Sequence, residues 1–209
     1  MCYHFPMRIS GGESKGRRIV SPPRSRSTGH AGVRPTSDKV REALFSILGE
    51  RVKDAVFLEL YAGTGAVGIE AVSRGAKRAV FVDSSPKSVR LIRENLDSLG
   101  CRDRAAVIAK DVIAFLKKSA RERGRSTGLG PYDIVFADPP YHADARGAVP
   151  EFLEILGSAE LAYVFSEGAL VAYEHFRKNS APEQIGRLIK KKNYLYGDTT
   201  VSLYVVLEG

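Results

Sequence analysis

The 209-residue chain has no tryptophan, two cysteines, four histidines and no long hydrophobic run. Cys2 and Cys101 stand far apart and form no disulfide framework, which predicts a reducing compartment, namely the cytoplasm. The histidines show no metal-ligand spacing, so we expect no metal site. Because no stretch of about 18 apolar residues occurs, we expect neither a membrane span nor a signal peptide. The sequence therefore predicts a cytoplasmic protein, and we take it to be a monomer.

Acidic residues are scarce relative to basic ones. The chain carries 32 Lys and Arg against 24 Asp and Glu, a formal net charge of +8 with a pI of about 9.5. This balance favours an acidic partner, most simply nucleic acid, over a generically basic protein. With 44% hydrophobic residues, the chain is long enough to form one sizeable core and one main domain.

The basic charge is concentrated near the N-terminus. Residues 8–35 contain seven Arg or Lys and one acid, Glu13, with many glycines and the pair Pro22-Pro23. Such a segment buries little, so we expect residues 1–35 to form a basic arm, either a hairpin or partly disordered, before a main domain over 36–209. If the arm follows a phosphate backbone, it should lose affinity steeply as salt is added.

The rest of the chain alternates between helical and strand-like patterns. A helix is predicted over 36–49, where Thr36 or Ser37 can cap it and Gly49 can end it. Strands are predicted over 55–60, 78–83, 104–110, 132–138 and 167–176, with helices at 66–74, 86–99 and from 111 onward. This alternation predicts an α/β fold with a doubly wound, Rossmann-like parallel sheet. The tail predicts an antiparallel hairpin at the sheet edge, turning at Gly197-Asp198, and 121–131 a basic, glycine-rich loop.

The first strand end, "FLELYAGTGAVGIEA", predicts a cofactor loop. Gly63 and Gly65 permit a tight turn and close approach of the backbone to a ligand. Glu59 lies in the strand, and Asp83 ends the next strand about twenty residues on, where an acid can bind ribose hydroxyls. Asp111 can cap the following helix, accept from an adenine amino group, or do both. A nicotinamide dinucleotide and S-adenosylmethionine both fit this pattern, and the acid beside the loop favours the cationic S-adenosylmethionine.

The fourth strand end, "IVFADPPYHAD", predicts an amine-alkylating turn. An exocyclic amine on a nucleobase is a poor nucleophile because its lone pair is delocalised into the ring. Asp138 can accept one N–H while the rigid Pro139-Pro140 turn holds a carbonyl for the other, which frees the lone pair. Tyr141 can stack on the base after it leaves its helix or loop. Beside a cofactor loop, this turn indicates methyl transfer to a base amine.

The chain also resembles a known family. "ELYAGTGAVGIEA" with "ADPPY" resembles class I S-adenosylmethionine-dependent methyltransferases that modify base amines. "RISGGESKGRRI" and "GVRPTSDKVREALFSIL" are similar to bacterial 16S ribosomal RNA (guanine-N2)-methyltransferases of the RsmD type. The resemblance implies a seven-stranded sheet with an antiparallel last strand, S-adenosylmethionine as donor, and a guanine in 16S rRNA, naked or in a partly assembled small subunit, as acceptor.

The residues and the resemblance together give three sets of candidate site residues. The catalytic candidates are Asp138, Pro139, Pro140 and Tyr141. The cofactor-binding candidates are Glu59, Tyr61, Gly63, Gly65, Asp83, Ser84, Asp111 and Val112. The RNA-binding candidates are Arg8, Arg17, Arg18, Arg34, Thr36 and Arg41, of which Arg34 and Arg41 flank a helix start that the family places beside the active site.

Three other functions remain open at this point. An adenine-N6 methyltransferase acting on DNA would use the same turn, but such enzymes usually need a target-recognition domain that this chain does not show. A non-catalytic RNA-binding protein could keep the fold, although it would have no need of the intact acids and glycines. A nicotinamide-dependent reductase would leave the Asp-Pro-Pro-Tyr turn unexplained.

Overall fold

The structure, a computed structural model, describes residues 7–21, 38–122, 129–140 and 149–207. Its strands are β1 Met7–Arg8, β2 Arg18–Ile19, β3 Val56–Leu60, β4 Arg78–Asp83, β5 Ala105–Ala109, β6 Tyr132–Ala137, β7 Phe165–Phe176, β8 Gln184–Ile185, β9 Leu188–Tyr196 and β10 Thr199–Val206. Its α-helices are α1 Asp38–Leu48, α2 Ala66–Ser73, α3 Pro86–Leu99, α4 Val112–Arg121 and α5 Glu151–Gly157.

Eight strands form one central sheet in the order β5-β4-β3-β6-β7-β10-β9-β8. The first five are parallel, whereas β10 runs antiparallel to both of its neighbours, β7 and β9. This arrangement confirms the doubly wound fold and the hairpin at Gly197-Asp198. The sheet has eight strands instead of seven because the short β8 pairs with the first two residues of β9.

Two apolar cores fill the faces of the sheet. One core joins α1, α2 and α3 to alternate sheet residues such as Phe57 and Phe81. The other joins α4 and α5 to the intervening residues such as Leu58 and Val80. Burial on both faces is what gives parallel strands their continuous apolar character, and it made them visible in the sequence. Helix α5, by contrast, was not predicted.

The described part of the predicted arm, residues 7–21, belongs to the first core. β1 and β2 form a two-stranded antiparallel pair, and the side chains of Met7, Ile9 and Ile19 are 7%, 1% and 1% exposed. The expectation that this segment buries little is therefore wrong, because three large apolar side chains recur in it between the charges. Residues 22–37, with the predicted boundary between arm and domain, lie outside the described residues.

Within the described ranges, no helix is long and apolar enough to cross a membrane. In those same ranges, no group of three or more His, Cys, Asp or Glu residues could hold a metal ion.

Candidate active site

The carboxyl ends of three parallel strands bring the predicted site residues to one edge of the sheet. Leu60 at the end of β3 pairs with Val82 on β4 and with Ala137 on β6. Asp83 and Asp138 therefore come directly after neighbouring, aligned positions. Both carboxylates lie close enough to Glu59 for their negative charges to raise its pKa. The sheet thus assembles the cofactor loop and the Asp-Pro-Pro turn, as the sequence predicted.

The loop after β3 has an unusual backbone. Tyr61, Gly63 and Gly65 have positive φ angles of 57°, 55° and 73°. A positive φ is strained for a bulky residue such as Tyr61, and such strain concentrates at functional sites. The Gly63 N–H donates to Asp83 Oδ2 at 2.8 Å, which fastens the loop to the end of β4. At Gly65 a β-carbon would lie 3.1 Å from Ile92, so the turn is closely packed as well as left-handed.

Glu59 lies behind this loop. Its side chain is buried, and its carboxylate accepts N–H bonds from Gly68 at 2.8 Å and from Val67 at 3.3 Å. These are orphan amides at the start of α2, where negative charge is favoured. Burial nevertheless raises the pKa of Glu59 to about 8. Glu59 therefore holds the first turn of α2 against β3, and any effect on a cofactor would act through the loop.

The other cofactor candidates line the same edge. Asp83 Oδ1 accepts from the Ser85 N–H at 2.8 Å, while Ser84 is exposed. Asp111 is exposed and caps α4, with Oδ1 accepting from the Ala114 N–H at 2.9 Å, and Val112 is buried. The capping role suggested for Asp111 is therefore present. A role in binding adenine remains a prediction.

The Asp-Pro-Pro turn continues directly from β6. Asp138 is partly buried, Pro139 is buried and Pro140 is exposed, while Tyr141 lies outside the described residues. Next to the turn, the rings of Tyr61 and Tyr173 both pack edge-to-face against Phe152, with centroid distances of 5.6 and 5.4 Å. Aromatic packing of this kind gives the loop and the neighbouring strand β7 a rigid support.

Arg41, a candidate for RNA binding, is instead a structural residue. Its side chain is 0% exposed, and its Nε donates to Glu70 Oε2 at 2.6 Å. Glu70 also accepts from Arg74 at 2.8 Å and from the Ser10 hydroxyl, and Arg41 Nη2 donates to the Arg8 carbonyl at 2.5 Å. The network ties α1, α2 and the N-terminal segment together. A buried guanidinium in such a network is not available to a phosphate, so the structure contradicts RNA contact by Arg41.

The other arginines of the N-terminal segment are less favourably placed than predicted. Arg17 donates to the carbonyls of Leu99 at 2.9 Å and Ser98 at 2.5 Å, at the end of α3. Because α3 starts at the carboxyl edge and runs back along the sheet, its end lies at the opposite edge from Asp138. Arg8 donates to the Gly16 carbonyl at 2.8 Å, and Arg18 is exposed on β2.

The remaining two RNA-binding candidates, Arg34 and Thr36, lie outside the described residues.

One residue that sequence reasoning missed joins the N-terminal segment to the cofactor loop. Asn95 on α3 is fully buried, and its Nδ2 donates to the carbonyls of Thr64 and Val20, both at 3.1 Å. Its Oδ1 accepts from the Val20 N–H at 2.8 Å. The signal in the sequence is a polar residue on the apolar face of an amphipathic helix, between Ile92 and Leu99.

Comparison with known proteins places the chain in a family. The family model described as conserved hypothetical protein 95 matches residues 7–205. The chain belongs to this family.

Relatives within the family cover most of the chain. YlbH of Bacillus subtilis strain 168 is 32% identical over 198 residues, which are 95% of this chain and 98% of YlbH. Ribosomal RNA small subunit methyltransferase D of Escherichia coli K12 is 33% identical over 167 residues, covering 77% of this chain and 75% of the enzyme.

Solved structures agree with this placement. The structure of Escherichia coli yhhF superposes with a TM-score of 0.77 at 27% identity and covers 98% of this chain and 99% of yhhF. Methyltransferases that are less than 25% identical share the fold alone, and some were solved with S-adenosyl-L-homocysteine bound.

Proposed function

We propose that the protein transfers a methyl group from S-adenosylmethionine to the exocyclic 2-amino group of a guanine in small-subunit rRNA. The observation that carries this proposal is the placement of Asp138, at the end of β6, beside the strained loop after β3. The relative from Escherichia coli, named as a small-subunit rRNA methyltransferase, supports the same substrate class. The net charge of +8 suits an RNA partner.

The site fits S-adenosylmethionine, which supplies an electrophilic methyl group on a positively charged sulfur. Asp83 and Asp138 lie at this edge on either side of the end of β3, and Asp83 contacts the loop at Gly63. Two carboxylates at one site favour a cation and disfavour the pyrophosphate of a nicotinamide dinucleotide. The turning backbone of Gly63 and Gly65 would lie against the ligand, and Asp83 would accept from the ribose hydroxyls through its remaining lone pairs.

Asp138 would carry the chemistry on the acceptor. A carboxylate that accepts one N–H of the guanine amine, together with a carbonyl held by Pro139 and Pro140, draws the nitrogen toward tetrahedral geometry. The freed lone pair then points at the methyl group, so the gain comes from orientation and from electrostatic stabilisation. Tyr141 would stack on the extruded base, and Asp138 would take up the proton lost after transfer.

The partner would be 16S rRNA, naked or within a partly assembled small subunit, and the protein would act in the cytoplasm. Arg34 and Thr36 would contact the target nucleotide, with Arg8 and Arg18 on the flanking backbone.

Labelled S-adenosylmethionine identifies the acceptor directly. The full chain is incubated with rRNA, small subunits or DNA from a strain that lacks the homologous enzyme, and the nucleic acid is then digested to nucleosides. The proposal expects labelled N2-methylguanosine from 16S rRNA. Labelled N6-methyladenine from DNA would make the protein a DNA methyltransferase, and no labelled nucleoside together with bound RNA would make it a binding protein.

Asp138→Ala tests the catalytic assignment. Turnover should fall at least ~10²-fold, a typical loss for one positioned polar group, while S-adenosyl-L-homocysteine binds as before. Asp97→Ala is the matched control, because Asp97 is exposed and pairs only with the exposed Arg102. Tyr141→Phe should be nearly silent and Tyr141→Ala should not, since stacking needs the ring alone. Wild-type rates in Asp138→Ala would reduce the turn to a structural feature.

A further inference from the structure

The hairpin β9–β10 carries basic and aromatic side chains together. Between residues 177 and 198 the chain has six Lys or Arg and two acids. The basic residues are Arg177, Lys178, Arg187, Lys190, Lys191 and Lys192. The acids, Glu183 and Asp198, are both exposed, and Glu183 is committed to Lys190 at 2.6 Å.

Four of these cations face solvent. Arg177, Lys178, Lys191 and Lys192 are exposed, and no carboxylate in the described parts of the chain lies within salt-bridge distance of them. Arg8 and Arg17 of the N-terminal segment differ, since their guanidinium groups donate to backbone carbonyls of the protein. Free lysines are the cations that can neutralise phosphates without first breaking a protein contact.

The end of β9 lies at the carboxyl edge of the sheet, the same edge as the Asp-Pro-Pro turn. β9 is parallel to β7, so its end at Tyr196 reaches the carboxyl edge, where Tyr196 pairs with Thr199 and Thr199 with Phe176. One step back, Tyr194 pairs with Val201, which pairs with Glu174. Ala137 pairs with Tyr173, so Asp138 comes level with Glu174 in the same row.

The alignment of the paired residues gives the distance between the hairpin and Asp138. Three strand spacings of about 4.8 Å place Tyr194 roughly 14 Å from Asp138. Tyr194 and Tyr196 are half-buried, on the face of the sheet that carries Glu59 and Asp83, and the Lys192 ammonium lies 5.2 Å from the centre of the Tyr194 ring. Aromatic rings next to exposed cations on one strand are features that bind single-stranded nucleic acid.

We propose that Lys191, Lys192, Tyr194 and Tyr196 of β9, with Arg177 and Lys178, form the surface that holds the rRNA strand flanking the target guanine. The occupant is a single-stranded or extruded stretch of RNA, because aromatic side chains bind bases by stacking and only an unstacked base has a free face. This inference rests on the proposed function and adds the location of the RNA.

Charge reversal at the hairpin separates this role from edge protection. Lysines on an edge strand also prevent sheets from pairing, and Lys191→Glu/Lys192→Glu keeps that protection because glutamate is charged too. The matched control is Lys53→Glu/Lys77→Glu, the same change in net charge at exposed positions before β3 and β4, at the opposite edge. Methylation of 16S rRNA by the full-length variants is measured across a salt series.

The hairpin variant should raise the KM for RNA at least about tenfold, leave the KM for S-adenosylmethionine unchanged, and lower the salt slope by about 1.4 for two lost single-strand phosphate contacts. The control should stay within about twofold of wild type. Tyr196→Ala should raise the KM for RNA, and Tyr196→Phe should restore it, since the ring is enough for stacking. Equal loss in both charge variants, or none in either, would overturn the proposal. If the wild-type chain methylates no rRNA, the proposed function fails first.

Discussion

The N-terminal segment 7–21 and the hairpin β9–β10 are both basic, yet Arg17 of the segment and the lysines of the hairpin use their charges in opposite ways. In the N-terminal segment, Arg17 donates to the end of α3, and the neighbouring Arg41 is buried against Glu70. In the hairpin, Lys191 and Lys192 are exposed. This difference between hydrogen-bonded arginines and exposed lysines shows that a run of positive charge does not by itself indicate a nucleic-acid-binding surface. Arginine suits structural contacts because its fork satisfies several acceptors, whereas lysine left in water keeps its charge for a partner.

The largest effect is expected from removing the N-terminal segment, since this tests whether the segment is part of the folded core. Deletion of residues 1–21 should abolish cooperative folding, because it takes Ile9 and Ile19 out of the core, and truncating one such side chain costs about 2–5 kcal/mol. Ile19→Ala alone should still fold with that loss, measured by urea denaturation. A truncated chain that melts like the full chain would return the segment to the role of a detachable arm.

The next largest effect is expected at the buried acid that anchors this segment. Burial raises the pKa of Glu70, but hydrogen bonds from Ser10, Arg74 and Arg41 outweigh burial and lower it overall. Glu70→Gln removes the buried counter-charge of Arg41 and leaves it only the exposed carboxylate of Asp38, 3.0 Å from Nη2, so it should cost about 3 kcal/mol of unfolding free energy. Glu42→Gln, at an exposed position on α1, is the control. A loss below about 1 kcal/mol would mean that the network contributes little.

Glu59, the acid behind the cofactor loop, should make the free energy of unfolding depend on pH. The pKa of Glu59 is raised by burial from 4.5 to about 8, so the folded chain holds this proton more tightly than the unfolded chain. Its stabilising contribution is complete below about pH 4.5 and is lost as the pH rises toward about 8. Glu59→Gln should remove a slope of up to ~1.4 kcal/mol per pH unit in that window, measured by denaturation.

Glu70 provides the opposite sign as an internal reference. Its lowered pKa means that its contribution is present above pH 4.5 and is lost as the pH falls through the folded value. If the two substitutions change the pH dependence of stability with the same sign, one of the two pKa assignments is contradicted.

A smaller effect should reveal how the N-terminal segment reaches the site. Asn95→Ala removes the bonds to Val20 and Thr64 and should weaken binding of S-adenosyl-L-homocysteine by about tenfold, or ~1.4 kcal/mol, measured by calorimetry. Leu99→Ala, a core truncation one turn further along α3, should destabilise the fold and leave that affinity nearly unchanged. Equal affinities in the two variants would remove Asn95 from the cofactor site.

The smallest effect should come from Arg17. Arg17→Ala loses two hydrogen bonds at an exposed helix end, so we expect about 1 kcal/mol of lost stability and an unchanged salt slope for RNA. A salt slope that falls as it should in the Lys191→Glu/Lys192→Glu variant would show that both basic regions touch the phosphate backbone.

The sequence predicted what local patterns control. Apolar runs, helical spacing and Gly49 at a helix end indicated most strands and helices, and the strand ends indicated the cofactor loop. It could not predict contacts between distant segments, such as Ser10 with Glu70 or Asn95 with Val20, because no local period encodes them. Arg41 was misassigned for this reason, since its charge was visible and its burial was not.

The contacts of the N-terminal segment with later parts of the chain also determine when it can fold during synthesis. Arg17 bonds to Leu99, 82 residues later, and Glu13 pairs with Arg104, 91 residues later. At about 5–20 residues per second, Ile9 and Ile19 leave the ribosome several seconds before their partners in α2 and α3 exist. During that interval Ile9 and Ile19 have no apolar partners in α2 and α3, and the surrounding arginines and lysines keep the nascent end dispersed in water.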